Sequence, residues 1–309
     1  MRAFYSRQGI VFTLVGLSAF ILVFYFVIAI KSANKNAVWL QTTLESQQEK
    51  SRLVYQMGVN LLASAEAEKS AVMADTDAES QAFSDQAQRA SEAVDAAKKE
   101  LGRLLESRST PKEMDLFHAF SDCWMKLEEV DRQILPLAVQ NTNLKAMRLS
   151  FGPAGDAIKD MEAALHHLMD DAATTPNALR IIQLSDEALT AALNIYVLQA
   201  PHIAETTDAK MDAIEARMRT LDEAVDRTLN QLDELIADRA DKALIDDAKA
   251  SYLTFQKTNT EIIELSRRNS NIRSFEVSLG VKRKVTAQCS EDLSALQEAI
   301  HSMEFKATR

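Results

Sequence analysis

The sequence predicts an all-α protein in which an N-terminal transmembrane helix precedes two four-helix bundles stacked end to end. Three observations predict this fold. The 309 residues include only 7 Gly and 5 Pro, the residues that most often interrupt helices. With 26% charged and 47% apolar residues, the composition is dominated by strong helix formers. Apolar side chains also recur at the heptad spacing of packed helices.

The first predicted element is an uncharged segment at residues 9–30. A helix of about 22 residues is roughly 33 Å long, which is enough to cross a bilayer core. The segment is longer than the apolar region of a signal peptide and Lys31 follows it directly, so we expect an uncleaved anchor. With few basic residues on either side, the simpler orientation places residues 1–8 in the cytoplasm and residues 32–309 outside. This predicts a single-pass protein of the cell inner membrane with a periplasmic C-terminal domain.

The rest of the chain is divided by short breaks into six helices, two of them about twice as long as the others. The turn ADTDAES at 74–80 and the pair Thr110-Pro111, a helix cap followed by a first-turn proline, mark two of the ends. The predicted helices cover residues 36–72, 81–107, 112–171, 176–198, 209–238 and 242–302. Two long helices among four short ones predict two bundles, with each long helix running through both.

The chain carries one unusual string twice. NTNLKAMRLSFGP begins at Asn141 and NSNIRSFEVSLGV begins at Asn269, about 128 residues later. The block EAVD also recurs, at 92–95 and 223–226, with a slip of three residues in the spacing. Such a slip is what a small insertion in a loop would produce. The sequence therefore predicts an internal duplication.

The predicted repeat covers about residues 38–165 and 166–302, and each copy reads as two short helices and a long one. The two strings then fall near the middle of the two long helices, where one bundle would pass into the other. We expect each long helix to kink there, at Gly152-Pro153 and at Gly280, because proline removes a backbone hydrogen bond and glycine weakens the helix.

Two apolar stripes support the bundle interpretation, because they keep the register of helices that face a core. Their Met and aromatic members are interpreted as core residues. Asp131 interrupts the first stripe, and Asn259 occupies the equivalent place in the second copy. The stripes consist of Phe117, Phe120, Trp124, Leu127, Ile134 and Ala138, and of Met211, Ile214, Met218, Leu221, Val225, Leu232 and Leu235.

Several functional classes receive no support from the sequence. The net charge of −10 argues against nucleic-acid binding, which needs a basic face. No nucleophile elbow, phosphate loop or zinc signature occurs, so we expect neither an enzyme nor a cofactor. His166 and His167 lie near Glu162, but neighbouring histidines point about 100° apart on a helix, and we interpret them as solvated.

The two cysteines, Cys123 and Cys289, are far apart and form no CxxC motif. They also occupy non-equivalent places in the repeat. We expect two packed thiols in preference to a disulfide.

The order of a short N-terminus, an uncleaved span and a long acidic helical domain resembles the front half of a bacterial methyl-accepting chemotaxis receptor. The six helices and the strings at Asn141 and Asn269 are similar to the helical bimodular sensor domain, a relative of the four-helix-bundle sensor of aspartate and serine receptors. This resemblance implies a homodimer, periplasmic recognition of small organic acids or amino acids, and a piston-like helix shift. A receptor's second span, HAMP linker and methylated hairpin do not occur in the 309 residues, so a truncated receptor and an accessory to a full-length chemoreceptor are the alternatives.

The candidate ligand site lies at the repeated strings. Asn141 and Asn269 take d positions that face the bundle interior, and Lys145 and Arg273 are equivalent in the two copies. Together with Arg148, these groups suit a carboxylate ligand, which amides and a guanidinium can bind while compensating its desolvation. The alternative is structural: the asparagines set the helix register or satisfy backbone groups at the kink. In that case, leucine at either asparagine would be neutral or stabilising.

Two functions of different classes follow. The first is a membrane-anchored extracytoplasmic module that binds and senses a small molecule, which predicts a polar pocket inside a bundle. The second is a structural helical scaffold, anchored to the membrane, that binds a protein partner or shapes the bilayer. A scaffold predicts an apolar interior and a charged or apolar stripe along the outside.

Overall fold

The computed structural model describes residues 7–236 and 239–307, in which every regular element is a helix. The elements of this part of the chain are numbered in sequence order, and two of them are π-helices. They are α1 (Arg7–Met73), α2 (Asp77–Ser107), α3 (Pro111–Ala138), α4 (Thr142–Leu149), π1 (Ser150–Ala154), α5 (Gly155–Ala172), α6 (Ala178–Ala204), α7 (Asp208–Leu235), α8 (Arg239–Arg268), α9 (Ser270–Val277), π2 (Ser278–Lys282) and α10 (Arg283–Ala307). The predicted all-α class is confirmed.

Helix α1 is continuous from Arg7 to Met73 and so includes the predicted span at residues 9–30. Apart from Tyr25, Phe26 and Val27, which are exposed, the side chains of that span lie outside the described residues. Among the residues that the structure does describe, no helix has both the length and the apolar character needed to cross a membrane.

The two predicted long helices are each interrupted, so the prediction of continuous helices over 112–171 and 242–302 is wrong. The interruptions come at Asn141, with φ 49°, and at Asn269, with φ 52°. Asparagine enters this left-handed region more readily than most residues because its short polar side chain can hydrogen-bond locally. Helix α3 ends at Ala138, three residues before Asn141, and α8 ends at Arg268, directly before Asn269. A new helix starts at the residue after each asparagine.

The predicted kink sites are π-helical. π1 contains Gly152 and Pro153, and π2 contains Gly280. A π-helix takes up an extra residue within a helix, so the helix continues through these glycine and proline positions. The break itself lies about ten residues earlier, at the asparagines. The other notable boundary error is in α6, which continues through Pro201 to Ala204 instead of ending at residue 198.

The chain divides into two compact units. Unit 1 consists of Met1–Ala63, Ala90–Met125 and Thr286–Arg309, and unit 2 consists of Ser64–Arg89 and Lys126–Val285. Unit 1 therefore draws on four helices, α1, α2, α3 and α10, as a four-helix bundle requires. Unit 2 contains α4 to α9 with both π-helices, together with the end of α1, the start of α2 and the end of α3. The end-to-end stacking of two bundles stays a prediction.

In unit 1, α3 packs against its neighbours through buried aromatic side chains. Phe120 and Trp124 are fully buried and stacked, with ring centroids 6.1 Å apart. The Trp124 indole donates a 2.9 Å hydrogen bond to Asp95 of α2, which satisfies its one polar atom inside the core. Leu53, Met57 and Leu61 of α1 are also buried. The stripe predicted on α3 is a core stripe here, as expected.

A disulfide joins Cys123 of α3 to Cys289 of α10 in unit 1, with Cα atoms 5.5 Å apart. The expectation of two packed thiols is therefore wrong. The sequence separation of 166 residues carries no information about this pair, because only the packing of α3 against α10 brings the two sulfur atoms together. A disulfide requires Cα atoms at about this distance.

In unit 2, α5 packs against α6 and α8, and α6 packs against α7. The predicted stripe of α7 faces this core: Met211, Met218, Val225 and Leu232 are buried, and the remaining members pack against the core as partly buried residues. The heptad interpretation of α7 is therefore confirmed.

Candidate functional site

The two repeated strings meet in unit 2 and cap each other's helices. The Thr142 N–H donates to Ser270 Oγ at 3.1 Å, and the Ser270 N–H donates to Thr142 Oγ1 at 3.0 Å. One residue further along each helix, the Asn143 N–H donates to Asn271 Oδ1 at 3.1 Å and the Asn271 N–H donates to Asn143 Oδ1 at 3.3 Å. The first N–H groups of a helix have no partner within it, so each string satisfies the helix start of the other.

The side-chain amides complete this arrangement. Asn143 Nδ2 donates to Asn269 Oδ1 at 2.8 Å, and Asn271 Nδ2 donates to Asn141 Oδ1 at 2.9 Å. Asn269 Nδ2 in turn donates to the Glu205 carbonyl at 3.0 Å. We call this set the asparagine layer; its members are Asn141, Thr142, Asn143, Asn269, Ser270 and Asn271.

The asparagine layer matches the structural alternative given for it. Asn141 and Asn269 are buried, as their d positions predict. Their carboxamide oxygens already accept hydrogen bonds from the opposite string, and the layer satisfies backbone groups at the two helix breaks. Buried polar groups need such partners.

The basic residues of the predicted site lie in different surroundings. Lys145 Nζ pairs with Asp77 Oδ2 at 2.7 Å, and this hydrogen bond is the main cause that lowers the pKa of Asp77. Arg148 is exposed and donates to the Asp75 carbonyl. Arg273 is exposed. The structure thus joins the two asparagines but distributes the three bases around them, and a carboxylate site at these five residues stays a prediction.

A cleft between α6, α7 and α8 of unit 2 was not found from the sequence. It encloses about 340 Å³ and combines apolar with polar side chains. We call it the α6–α8 cleft; its lining is Ile195, Glu215, Met218, Arg219, Asp222, Phe255, Gln256, Asn259, Thr260 and Ile263. Met218 and Phe255 are buried. A pocket that is apolar with a few convergent polar groups is the usual form of a small-molecule site.

One end of the α6–α8 cleft is organised around Asp222. This carboxylate accepts hydrogen bonds from the Tyr252 hydroxyl at 2.5 Å and from Gln256 Nε2 at 2.7 Å. Burial of Tyr252, together with its hydrogen bond to Asp222, raises the pKa of the tyrosine hydroxyl well above its usual range. The hydroxyl therefore stays a donor and holds the carboxylate in place.

The other end is organised around Glu215. It accepts hydrogen bonds from Arg267 Nε at 2.6 Å and from His202 Nε2 at 3.0 Å. Burial works to raise the pKa of Glu215, but the hydrogen bonds from Arg267 and His202 outweigh it and the pKa is lowered. Arg219 reaches Glu215 only at 3.9 Å, and its side chain is 68% exposed. Its guanidinium is therefore available to an anionic group of a ligand.

Unit 1 carries an apolar groove along α1 and α10. Tyr55, Val59 and Leu62 of α1 are all exposed along it, and Leu293 of α10 also lines it. The groove has a volume of about 920 Å³. Contiguous exposed apolar surface of this kind marks interaction surfaces more often than chance exposure. We call it the α1 groove.

One stretch in the second half of the chain matches a known protein family. Residues 181–301 match the family described as a four helix bundle sensory module for signal transduction. This confirms the resemblance to a chemoreceptor sensor domain, and the matched range includes every residue that lines the α6–α8 cleft. No curated protein and no solved structure matches the chain.

Proposed function

We propose that this protein is a membrane-anchored extracytoplasmic sensor that binds a small organic acid or amino acid in the α6–α8 cleft. The observation that carries the proposal is the position of this cleft inside the matched sensory module. A sensory module needs a site whose occupancy changes its structure, and the cleft combines a concave space with charged groups of both signs.

The lining of the α6–α8 cleft suits a ligand with a carboxylate. The Arg219 guanidinium can hold a carboxylate through two parallel hydrogen bonds. Glu215 and Asp222 lie on the same helix as Arg219, at distances of one turn along it, and supply negative charge for an ammonium group. Met218 and Phe255 offer apolar contact to the remaining atoms. An α-amino acid would use all three features, and a simple organic acid would use the first and the last.

The disulfide supports an extracytoplasmic location. Cys123 and Cys289 form it in unit 1, and stable disulfides are characteristic of oxidising compartments such as the bacterial periplasm. The apolar segment at residues 9–30 supplies the proposed anchor, with residues 1–8 in the cytoplasm. A C-terminal reporter that is active only in the cytoplasm should therefore remain silent.

The α1 groove supports a homodimer. Its exposed face includes Tyr55, Val59 and Leu62 on a single helix, and a helix with an uncovered apolar stripe gains free energy by packing against another helix. A second copy of the chain offers the same stripe in a symmetric, self-complementary arrangement.

The ligand site is tested by a thermal-shift screen of the full chain in detergent against amino acids and organic acids. A ligand present at about 100 times its Kd stabilises the folded state by about 2.7 kcal/mol. We expect Arg219→Gln to abolish the shift. Arg217→Gln, an exposed change on the same helix outside the cleft, should preserve it.

The same screen separates the cleft from the asparagine layer. If Arg148→Ala and Arg273→Ala abolish the shift and Arg219→Gln does not, the ligand binds at the repeated strings and the cleft assignment is wrong. A chain that gives no shift with any ligand favours the second candidate function, a scaffold. The exposed apolar residues Leu179, Ile182 and Val197 of α6 are the observation in its favour, since a scaffold predicts apolar side chains along the outside.

A further inference from the structure

A buried cluster of charged groups lies at the second π-helix of unit 2. Glu68 of α1 is fully buried, Lys282 at the end of π2 is 2% exposed, and Asp131 of α3 is 9% exposed. Ser278, the first residue of π2, is buried beside them. We call Glu68, Asp131, Ser278 and Lys282 the charged centre. None of them belongs to the asparagine layer or to the α6–α8 cleft.

The charged centre contains two carboxyl groups and one ammonium. Lys282 Nζ pairs with Asp131 Oδ1, and neither oxygen of Glu68 accepts a hydrogen bond of ordinary geometry from the described residues. The other charged group that acts on Glu68 is Lys69, which is exposed on the same helix and pairs with Glu66. If both carboxyls were ionised, the buried centre would carry an unbalanced negative charge, which is strongly unfavourable away from water.

A neutral counterpart of this centre lies at π1, the equivalent of π2 in the repeat. At π1, Ser150 Oγ donates to Gln199 Oε1 at 2.7 Å, and Gln199 Nε2 donates to Asn259 Oδ1 at 2.9 Å. Ser150 and Asn259 are the repeat equivalents of Ser278 and Asp131 at the spacing of 128 residues seen across the asparagine layer. Gln199 links them, in the place that Glu68 takes between Ser278 and Asp131.

The two centres differ in whether their side chains can ionise. Gln and Asn at one centre are replaced by Glu and Asp at the other, which changes hydrogen-bonding amides of nearly the same shape into groups that can ionise. Lys282 takes the position of the buried Ala154. The neutral set shows that the fold accepts uncharged groups at this place, so the charge has a role other than filling the core.

We propose that the charged centre is a proton-operated switch in which Glu68 binds the proton and competes with Asp131 for Lys282 when it ionises. With Glu68 protonated, the Lys282–Asp131 pair is balanced and the centre is neutral. Loss of the proton leaves two carboxylates drawing on one ammonium. The competition of the two carboxylates for Lys282 acts on π2, because Lys282 is the last residue of this helix and Ser278 is its first.

The surroundings of the charged centre raise the pKa of both carboxyl groups, as this switch requires. Burial raises the pKa of Glu68; Lys282 and the Ser278 hydroxyl oppose the shift, while the charge of Asp131 adds to it. Burial also raises the pKa of Asp131, against the pull of Lys282. A group whose pKa is raised by folding stabilises the protein below its ordinary pKa, and that contribution is lost as the pH rises through the raised value. Unit 2 should therefore become less stable as the pH rises through the pKa of Glu68.

The experiment compares the full chain with Glu68→Gln, which copies the protonated carboxyl, and with Glu66→Gln, an exposed change on the same helix. Thermal unfolding is followed between about pH 5 and pH 8. We expect the melting temperature of the unchanged chain and of Glu66→Gln to fall toward the alkaline end, and that of Glu68→Gln to depend less on pH. Coinciding profiles for the unchanged chain and Glu68→Gln would overturn the proposal.

Two further measurements do not depend on stability alone. Infrared difference spectra between acidic and neutral samples should show the carbonyl band of a protonated carboxyl that is missing from Glu68→Gln; a band that persists in that variant assigns the proton elsewhere and refutes the switch. Hydrogen exchange at a single neutral pH should be slower over residues 278–282 in Glu68→Gln than in the unchanged chain. Equal exchange rates refute the coupling to π2.

If Glu68→Gln alone does not fold, the neutral set at π1 provides a replacement. The triple change Glu68→Gln, Asp131→Asn and Lys282→Ala reproduces the side chains of Gln199, Asn259 and Ala154. Its melting temperature should be the least dependent on pH of all the variants. A triple variant that keeps the pH profile of the unchanged chain excludes the charged centre as the proton site.

Discussion

Thr142 and Ser270 cap one another: each backbone N–H donates to the hydroxyl of the other residue, at 3.1 and 3.0 Å. Each lies directly after an asparagine with positive φ, at the start of a new helix. Because the first two N–H groups of each helix start donate to side chains of the opposite string, the two breaks support one another. The two repeated strings thus cap each other's helices inside unit 2.

Replacing Thr142 with valine tests this mutual capping. Valine keeps the shape of the side chain but removes the acceptor of the Ser270 N–H, so we expect the free energy of unfolding to fall by about 1–3 kcal/mol. Ser270→Ala should have a similar effect. The double variant should lose less than the sum, because both single changes remove the hydrogen bond that the Thr142 hydroxyl donates to Ser270 Oγ at 3.2 Å. Urea unfolding followed by circular dichroism measures all three; Thr254→Val, an exposed threonine of α8, is the control, and a loss no larger than in the control contradicts the role.

The structure reverses the expectation for leucine at the two asparagines. A neutral or stabilising effect assumed an ordinary helical backbone, but Asn141 and Asn269 have φ of 49° and 52°. This left-handed conformation costs most residues about 1–2 kcal/mol, and asparagine adopts it more readily than leucine because its short polar side chain can hydrogen-bond locally. Leucine at Asn141 would also remove the acceptor of the Asn271 Nδ2 hydrogen bond. Leucine at Asn269 would remove one of the two acceptors of Asn143 Nδ2, which also donates to the Ile203 carbonyl. We expect Asn141→Leu and Asn269→Leu to destabilise the protein in urea unfolding. Glycine at either position should cost less than leucine, since it adopts positive φ freely; equal losses for the two substitutions would argue against backbone strain.

The sequence was sufficient where structure depends on local periodicity. The stripe of α7 predicted Met218, Val225 and Leu232 as core residues, and they are buried, because a helix with one apolar face has a single way to bury it. The scarcity of Gly and Pro likewise predicted the all-α class. The signal for the helix breaks was also present: an asparagine followed by Thr or Ser occurs in both strings, and such residues favour helix starts over helix interiors.

The sequence was insufficient where structure depends on which helices become neighbours. Cys123 and Cys289 pair only because α3 packs against α10, and no spacing rule relates residues on separate helices. The α6–α8 cleft has the same origin: Arg219 is one exposed arginine among several until Asp222 and Phe255 are placed around the same space. The carboxylate site was predicted from the repeat alone. The sequence does not show whether the asparagine side chains hydrogen-bond to each other or are free to bind a ligand.

Removing the disulfide should destabilise unit 1. We expect Cys123→Ala with Cys289→Ala, or treatment with a reductant, to lower the free energy of unfolding by about 2–5 kcal/mol. Tryptophan fluorescence reports the transition in denaturant: Trp124 is fully buried in unit 1 next to Cys123 along α3 and loses these surroundings on unfolding, whereas Trp39 is already exposed in the folded chain. Met125→Ala, a change at an exposed neighbour, is the control. A chain whose transition is the same with and without reductant does not depend on this bond.

Glu215 should give unit 2 a pH dependence opposite in sign to that of Glu68. The hydrogen bonds from Arg267 and His202 outweigh burial and lower the pKa of Glu215, so its contribution is present above the ordinary glutamate pKa and is lost as the pH falls through the lowered value. We expect Glu215→Gln to reduce the free energy of unfolding at pH 7 by about 1.5–3 kcal/mol, since hydrogen bonds to a charged group are lost, and to have a smaller effect in acid. Glu223→Gln, an exposed change on the same helix, should have little effect at either pH. Urea unfolding at neutral and acidic pH measures the difference, and an equal penalty at both would mean that Glu215 contributes through packing and not through its charge.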